Sequence, residues 1–190
     1  AWEIAESARQ ELEARYVLQD GLVHIAVAGR DPSRVLVIDP VLDYATWLGG
    51  TDFDETTATA MDANGNVFIA GLTSSLDFPT TAGVVQPALG LIGEEDAFVA
   101  IVSADGKSLM RATYLGGSKD EDTFDVAAGN GLVVIGGRTE SDDFPVSDGA
   151  FDRTYSPNPG AASGFLASLS AAIDSLSFSS HLDGTDGSTT

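Results

Sequence analysis

The stretch YATWLGGTDFDET, residues 44 to 56, sets Asp52, Asp54 and Glu55 directly after a double glycine. A second acidic group, Asp120, Glu121 and Asp122 with Asp125 beyond, follows Gly116–Gly117, and Asp186 follows the LDG at 182 to 184. Calcium takes six to eight oxygen ligands, and loops crowded with carboxylates can supply them. The spacing does not follow the EF-hand pattern. MDANGN at 61 to 66 comes nearer, with Asp62, Asn64 and Asn66 at alternate positions, but its counterpart AAGNGL at 127 to 132 keeps only the middle one. Two readings stand. In one, Asp52, Asp54, Glu55, Asp62, Asn64, Asn66, Glu121 and Asp122 are calcium ligands, calcium being the one candidate cofactor. In the other, preferred reading they form solvated acidic turns in which the aspartates cap backbone N–H groups.

Other constellations carry less chemistry. Asp77-Phe78-Pro79 and Asp143-Phe144-Pro145 offer a carboxylate pair, as a glycan hydrolase or lyase requires, but glycosidase carboxylates must stand roughly 5 to 9.5 Å apart. The preferred reading is structural: phenylalanine packs, proline fixes the turn and aspartate satisfies nearby amides. His181 follows Ser179 and Ser180, yet no G-x-S-x-G elbow is present, and His24 alternates with apolar residues. The glycine pairs lack the lysine and helix of a phosphate loop. Tyr44, Trp47 and Tyr114 could stack on sugars, so a carbohydrate platform is an alternative; their recurrence at matching positions argues for packing. With no cysteine, thiolate catalysis, disulfides and cysteine-ligated metals are excluded.

The acidic loops belong to a repeat. WLGG, YLGG and HLDG end at Gly50, Gly117 and Gly184, 67 residues apart, and FVA at 98 to 100 returns as FLA at 165 to 167. NGNVFIAGLTSSLDFP at 64 to 79 returns as NGLVVIGGRTESDDFP at 130 to 145, shifted by 66. Several landmarks in one order mark an internal repeat. Each copy predicts four short strands. The first has TTATAMD, VFIAGLT, DAFVAIVS and SLMRATYL; the second has TFDVAAG, LVVIGGRT, SGFLASLS and SLSFSSHL. ADGK forms a hairpin turn in which Gly106 takes positive φ. Long connections rich in Gly, Pro and Ser follow each DFP.

The N-terminal region predicts strands as well, with a hairpin at Asp20-Gly21 and a strand RVLVIDP ended by Pro40; a short helix over EIAESARQELEAR is the lesser option. LDYATWL matches SLMRATYL and predicts another strand. The expected organisation is a β-rich segment at 1–40, repeats at 41–117 and 118–184, and the start of a further repeat or a tail at 185–190.

VIDPVLDYATWLGG, MDANGNVFIAGLTSSLDFPTTAGVVQP and DAFVAIVSADGKSLMRATYLGG together resemble the bacterial β-propeller repeat family called SBBP, over roughly residues 34 to 184. The resemblance implies an all-β fold of antiparallel four-stranded propeller-type blades. It also implies an exported or surface-attached protein, extracellular, at the cell surface or periplasmic. Two repeats cannot close a ring, since closure takes at least four blades. The expectation is therefore an incomplete ring whose end sheets are flanked or completed by other protein chains.

The net charge of −20, from 29 acidic and 9 basic side chains, opposes phosphate binding and excludes nucleic acid as the expected partner. No run of 18 apolar residues predicts membrane insertion. AWEIAESARQ has no signal-peptide pattern and reads as the start of a mature or excised chain. The functional expectation is a non-catalytic structural or protein-interaction module of an extracellular or envelope protein. The alternatives are a glycan hydrolase or lyase and a calcium-dependent or carbohydrate-binding module.

Overall fold

The computed structural model describes residues 1–5, 8–19, 22–38, 44–155 and 162–182. Two units divide the chain, Ala1–Ala45 and Thr46–Thr190.

In the first unit, β1 (Trp2–Ala5) pairs antiparallel with β2 (Ala8–Glu11). β3 (Ala14–Gln19) and β4 (Leu22–Val27) form a separate hairpin, and β5 (Leu36–Val37) adds to β1. The helix option over EIAESARQELEAR gives way to strands. The buried Glu3 accepts the Asp31 amide at 2.8 Å, and the Arg9 guanidinium sits 4.7 Å from the Trp2 ring centre. RVLVIDP contributes only Leu36–Val37 as strand. Asp20, Gly21 and Pro40, on which the hairpin turn and the strand end were expected, lie outside the described residues.

The second unit holds two four-stranded antiparallel meanders. The first is β6 (Asp54–Met61), β7 (Val67–Thr73), β8 (Asp96–Val102) and β9 (Leu109–Leu115); the second is β10 (Glu121–Gly129), β11 (Leu132–Thr139), β12 (Ser163–Ser170) and β13 (Leu176–His181). Alternation and β-branched density form these strands, and the turns fall where expected, Gly65 and Gly106 taking φ of 83° and 68°. Phe68, Ala70, Val99 and Ile101 of the first sheet share one buried cluster with Val133, Ile135, Phe165, Ala167 and Leu169 of the second. Phe98, Ala100, Ala112 and Tyr114 pack with Phe78 in another.

The two sheets repeat one another in detail. Each first strand bulges at the same place, between Thr56 and Ala58 and between Thr123 and Asp125, opposite Gly71 and Gly137. A Cβ at either glycine would stand 1.9 Å from a carbonyl oxygen, of Glu55 or of Asp122, so the bulged strand presses on a backbone that must be bare.

The long connections return along the last strand of each sheet. Thr81 N–H donates to Ala112 O at 3.0 Å and Tyr114 N–H to Gln86 O at 3.1 Å; in the second sheet Ser147 N–H donates to Ser179 O and His181 N–H to Asp152 O, each at 3.0 Å. The side-chain bonds match too, Gln86 N–H to Thr113 Oγ1 at 2.9 Å and Asp152 N–H to Ser180 Oγ at 2.8 Å. Each connection covers an edge that would otherwise present unpaired N–H and C=O groups.

These observations correct three expectations. The architecture is all-β, but the described residues form four separate antiparallel sheets of two to four strands, none closed or strongly curled as a propeller blade is. The propeller-type incomplete ring implied by the resemblance to the SBBP repeat is therefore not what forms. The repeated sequence supplies only two sheets, and the N-terminal residues build a three-stranded sheet and a hairpin of their own. No blade-like arrangement is present for other protein chains to complete or flank as expected, and the outer edges of β9 and β13 are covered from within the chain. Finally, residues 44–50 form no strand: a ladder needs a neighbour, and none of the described strands pairs with them. Trp47, expected to pack like Tyr114, is fully exposed, while Tyr114 is buried.

Candidate functional site

The acidic residues after each double glycine lie at the start of β6 and of β10. Side chains alternate across a strand, so the adjacent carboxylates separate. Asp54 and Glu121 turn inward, Glu121 to complete burial, while Glu55 is exposed and Asp122 pairs with Arg138. The neighbours that looked like a chelating pair face opposite sides of the sheet.

The inward carboxylates close a hydrogen-bonded plug that recurs in both sheets. Gly50 N–H donates to Asp54 Oδ2 at 2.7 Å, Thr51 N–H to Asp77 Oδ1 at 2.8 Å, and Asp52 N–H to Ser75 Oγ at 2.9 Å. In the second sheet Gly117 N–H donates to Glu121 Oε2 at 2.9 Å, Ser118 N–H to Asp143 Oδ1 at 2.8 Å, and Lys119 N–H to Ser141 Oγ at 2.8 Å. Ser75 and Ser141 are themselves fixed by amide bonds to Thr73 Oγ1 and Thr139 Oγ1, at 3.0 and 2.9 Å. Three consecutive amides are thus received by three side chains, from the first strand's carboxylate, the T-x-S and the D-F-P.

The double glycine follows from this cradle. A Cβ at Gly50 would stand 2.4 Å from Asp77 Oδ1, and one at Gly117 2.5 Å from Asp143 Oδ1; at Gly49 and Gly116 it would meet Asp54 at 2.5 Å and Glu121 at 2.3 Å. Two carboxylates press on two successive α-carbons, and only glycine leaves room. Phe78 and Phe144, both buried, lock the other side, each with its ring centre 4.6 Å from Phe98 or Phe165.

The copies differ at the first-strand carboxylate. Glu121 Oε1 accepts the Thr139 hydroxyl at 2.5 Å, whereas Asp54, one methylene shorter, leaves Oδ1 buried without a partner. Burial is the largest influence on Glu121 and raises its pKa; bonds from Thr139, Ser141 and Gly117 oppose it, and Asp143 adds to it. Asp77 is held below the usual carboxylate range, chiefly by the Thr51 amide and hydroxyl.

The remaining candidate ligands lie elsewhere. Asp62, Asn64 and Asn66 form the β6–β7 turn, beside a shallow groove of about 530 Å³ lined also by Asn130 and Leu132. Asp62 Oδ1 accepts the amides of Asn64 and Asn66, both at 2.9 Å, and its Oδ2 accepts Asn66 Nδ2 at 2.9 Å. Those bonds, the Asn66 side chain first, lower its pKa. Asp52 is exposed and matches Lys119 in the other copy. Among the described residues no three or more of His, Cys, Asp and Glu gather as a metal ion would require.

His181 is buried, with Nδ1 3.1 Å from Ser163 Oγ and its ring near Phe144 and Tyr155. It sits where Tyr114 sits in the first sheet, a buried packing position. The plug's hydroxyls, Thr73, Ser75, Thr139 and Ser141, were missed as functional side chains although T-x-S-x-D-F-P recurs intact. Asp96, missed too, carried a weaker signal, the last of three consecutive carboxylates and the one that opens the apolar run AFVAIV.

No family model matches the chain, and no curated protein matches it. The SBBP resemblance read from LGG, DANGN and DFP is thereby corrected on the sequence side as well as in the architecture. The short shared segments coincide with turn and capping positions, which backbone geometry selects.

Proposed function

We propose that the chain is a non-catalytic structural and protein-interaction module of an extracellular or envelope protein. The observation that carries this reading is the use of the repeated polar residues: both copies aim them at backbone amides of their own sheet. Catalytic or ligand-binding side chains would be left facing solvent or a cavity. The connections hold firm edges and present exposed apolar side chains near acidic ones. Ile92, 76% exposed, stands beside Glu94 and Glu95, and Phe151, 84% exposed, lies near Asp148. Such tips suit contact with a partner of mixed basic and apolar surface.

The test replaces Asp143 or Ser141 by Ala and measures urea unfolding beside hydrolysis of a panel of glycans. The expected result is a lowered unfolding midpoint and no turnover by the parent chain. Turnover that disappears in Glu121→Gln, or variants as stable as the parent, would refute the structural assignment.

A further inference from the structure

Asp96 opens β8 and is completely buried. Its Oδ2 accepts Gln86 Nε2 at 2.7 Å and the Gly90 amide at 2.9 Å. Its Oδ1 is buried without a hydrogen-bond partner. That oxygen points toward Gly116: a Cβ there would stand 2.7 Å from it and 2.3 Å from Glu121 Oε2. Two buried carboxylates, one from each four-stranded sheet, therefore face a single bare α-carbon. The backbone joins the sheets at the same point, Glu121 N–H donating to Glu95 O at 2.7 Å.

The groups around Asp96 are acidic. Glu121 faces it from β10, Asp143 from the loop after β11, and the Tyr114 phenol from β9. Among the described residues of this unit, the ion pairs Lys107–Asp105, Arg138–Asp122 and Arg153–Asp148 lie at other positions. An ionised carboxylate buried among like charges is unfavourable, and taking up a proton removes the cost. The matching position in the second sheet is Ser163, a neutral hydroxyl, so the charge is not needed to build the sheet.

We propose that Asp96 is a proton-controlled latch, neutral when the seam between the two four-stranded sheets is tight and loosening that seam when it ionises against Glu121. This goes beyond the structural role proposed above and stands on the geometry of the seam, independently of that role. Burial is the largest influence on the Asp96 carboxyl and the Gly90 amide opposes it; Glu121 raises it further, the Gln86 bond lowers it and Asp143 raises it, to about 7. The unfolded chain ionises near pH 4. Between those values the folded state holds the extra proton, so stability is greatest below about pH 4, falls as pH rises toward 7, and is level above. The unfolding constant attributable to this group rises by up to about a thousandfold across that window.

The test follows side-chain carboxyl carbons of the isotope-labelled full chain by NMR from pH 4 to 9, with Asp96→Asn and Asp96→Ser for assignment, and measures urea unfolding at pH 4.5 and 8.5. The expected midpoint for Asp96 is near 7, moving down in Glu121→Gln, and both Asp96 variants lose part of the parent's pH dependence. Should neither variant fold, the drop of the near-neutral carboxyl signal in Glu121→Gln identifies the group. An Asp96 midpoint in the ordinary carboxylate range, or full pH dependence kept in a folded variant, overturns the proposal. So does stabilisation at pH 8.5 by millimolar calcium that Asp96→Asn abolishes, since a metal ion rather than a proton would then occupy the seam.

Discussion

Shortening Glu121 tests the plug at the first-strand carboxylate, where the two copies differ in reach. Glu121→Asp keeps the charge and the bond to the Gly117 amide but withdraws the oxygen that accepts the Thr139 hydroxyl, reproducing the arrangement at Asp54. A hydrogen bond to a charged acceptor contributes about 1.5–3 kcal/mol, and a buried oxygen left without a donor is penalised on the same scale. For a unit of this size, ~1 kcal/mol moves the melting temperature by about 2–4 °C. Glu121→Asp is therefore expected to lower Tm by about 3–12 °C, with an unchanged urea m-value showing that the unfolded state is not involved. Asp54→Glu should do the reverse, gaining about 1 kcal/mol if the longer side chain reaches Thr73, less than the loss at Glu121 because the added methylene must be ordered. Glu121→Gln separates reach from charge: its amide oxygen accepts the Gly117 N–H and its Nε2 reaches Thr139 as a donor to Oγ1, so it should lose less than Glu121→Asp. If Glu121→Asp is neutral, or Glu121→Gln is the more damaging, reach is not what matters and the plug argument fails.

The remaining predictions concern neighbouring parts of the same design. Gly137→Ala sets a methyl against the Asp122 carbonyl at the bulge and should destabilise by about 3 kcal/mol or more, read by urea unfolding; equal stability would show that the bulge shifts freely. Phe144→Ala removes a buried ring stacked on Phe165 and should cost about 3–5 kcal/mol, with Phe144→Leu intermediate. Asp62→Ala frees the amides of Asn64 and Asn66 and should speed hydrogen exchange in that turn while leaving the sheet core protected. Ligand binding to the native state must raise Tm; millimolar calcium should leave that of the parent chain unchanged, and an increase lost in Asp62→Ala would support the calcium reading instead.

The strands of the second unit were legible because local and global signals agree there. β-branched runs, glycine turns and a 66- to 67-residue repeat all set the same eight segments. The failure over the described part of LDYATWL, residues 44–48, shows the limit of that agreement. Its resemblance to SLMRATYL is real, but strand formation depends on a neighbour, and no pairing information resides in the segment itself. The step from repeat to propeller failed for a related reason. Four strands per repeat fix a sheet, while ring closure depends on how many sheets there are and how far each one curls.

The site was half legible. LGG, T-x-S and D-F-P announce a recurring cradle, and capping was the reading that fits Asp54, Asp62, Asp77 and Asp143. What a linear reading hides is that Asp54 and Glu55, or Glu121 and Asp122, face opposite ways once a strand begins between the glycines and the bulge. Density of carboxylates in sequence is then a poor measure of density in space. The true juxtaposition, Asp96 with Glu121, joins residues from different repeats through a glycine that carries no chemical group at all. Gly116 therefore does more than permit a turn: its missing side chain is what lets two acidic groups meet inside the protein, and the response of the seam to pH follows from that absence.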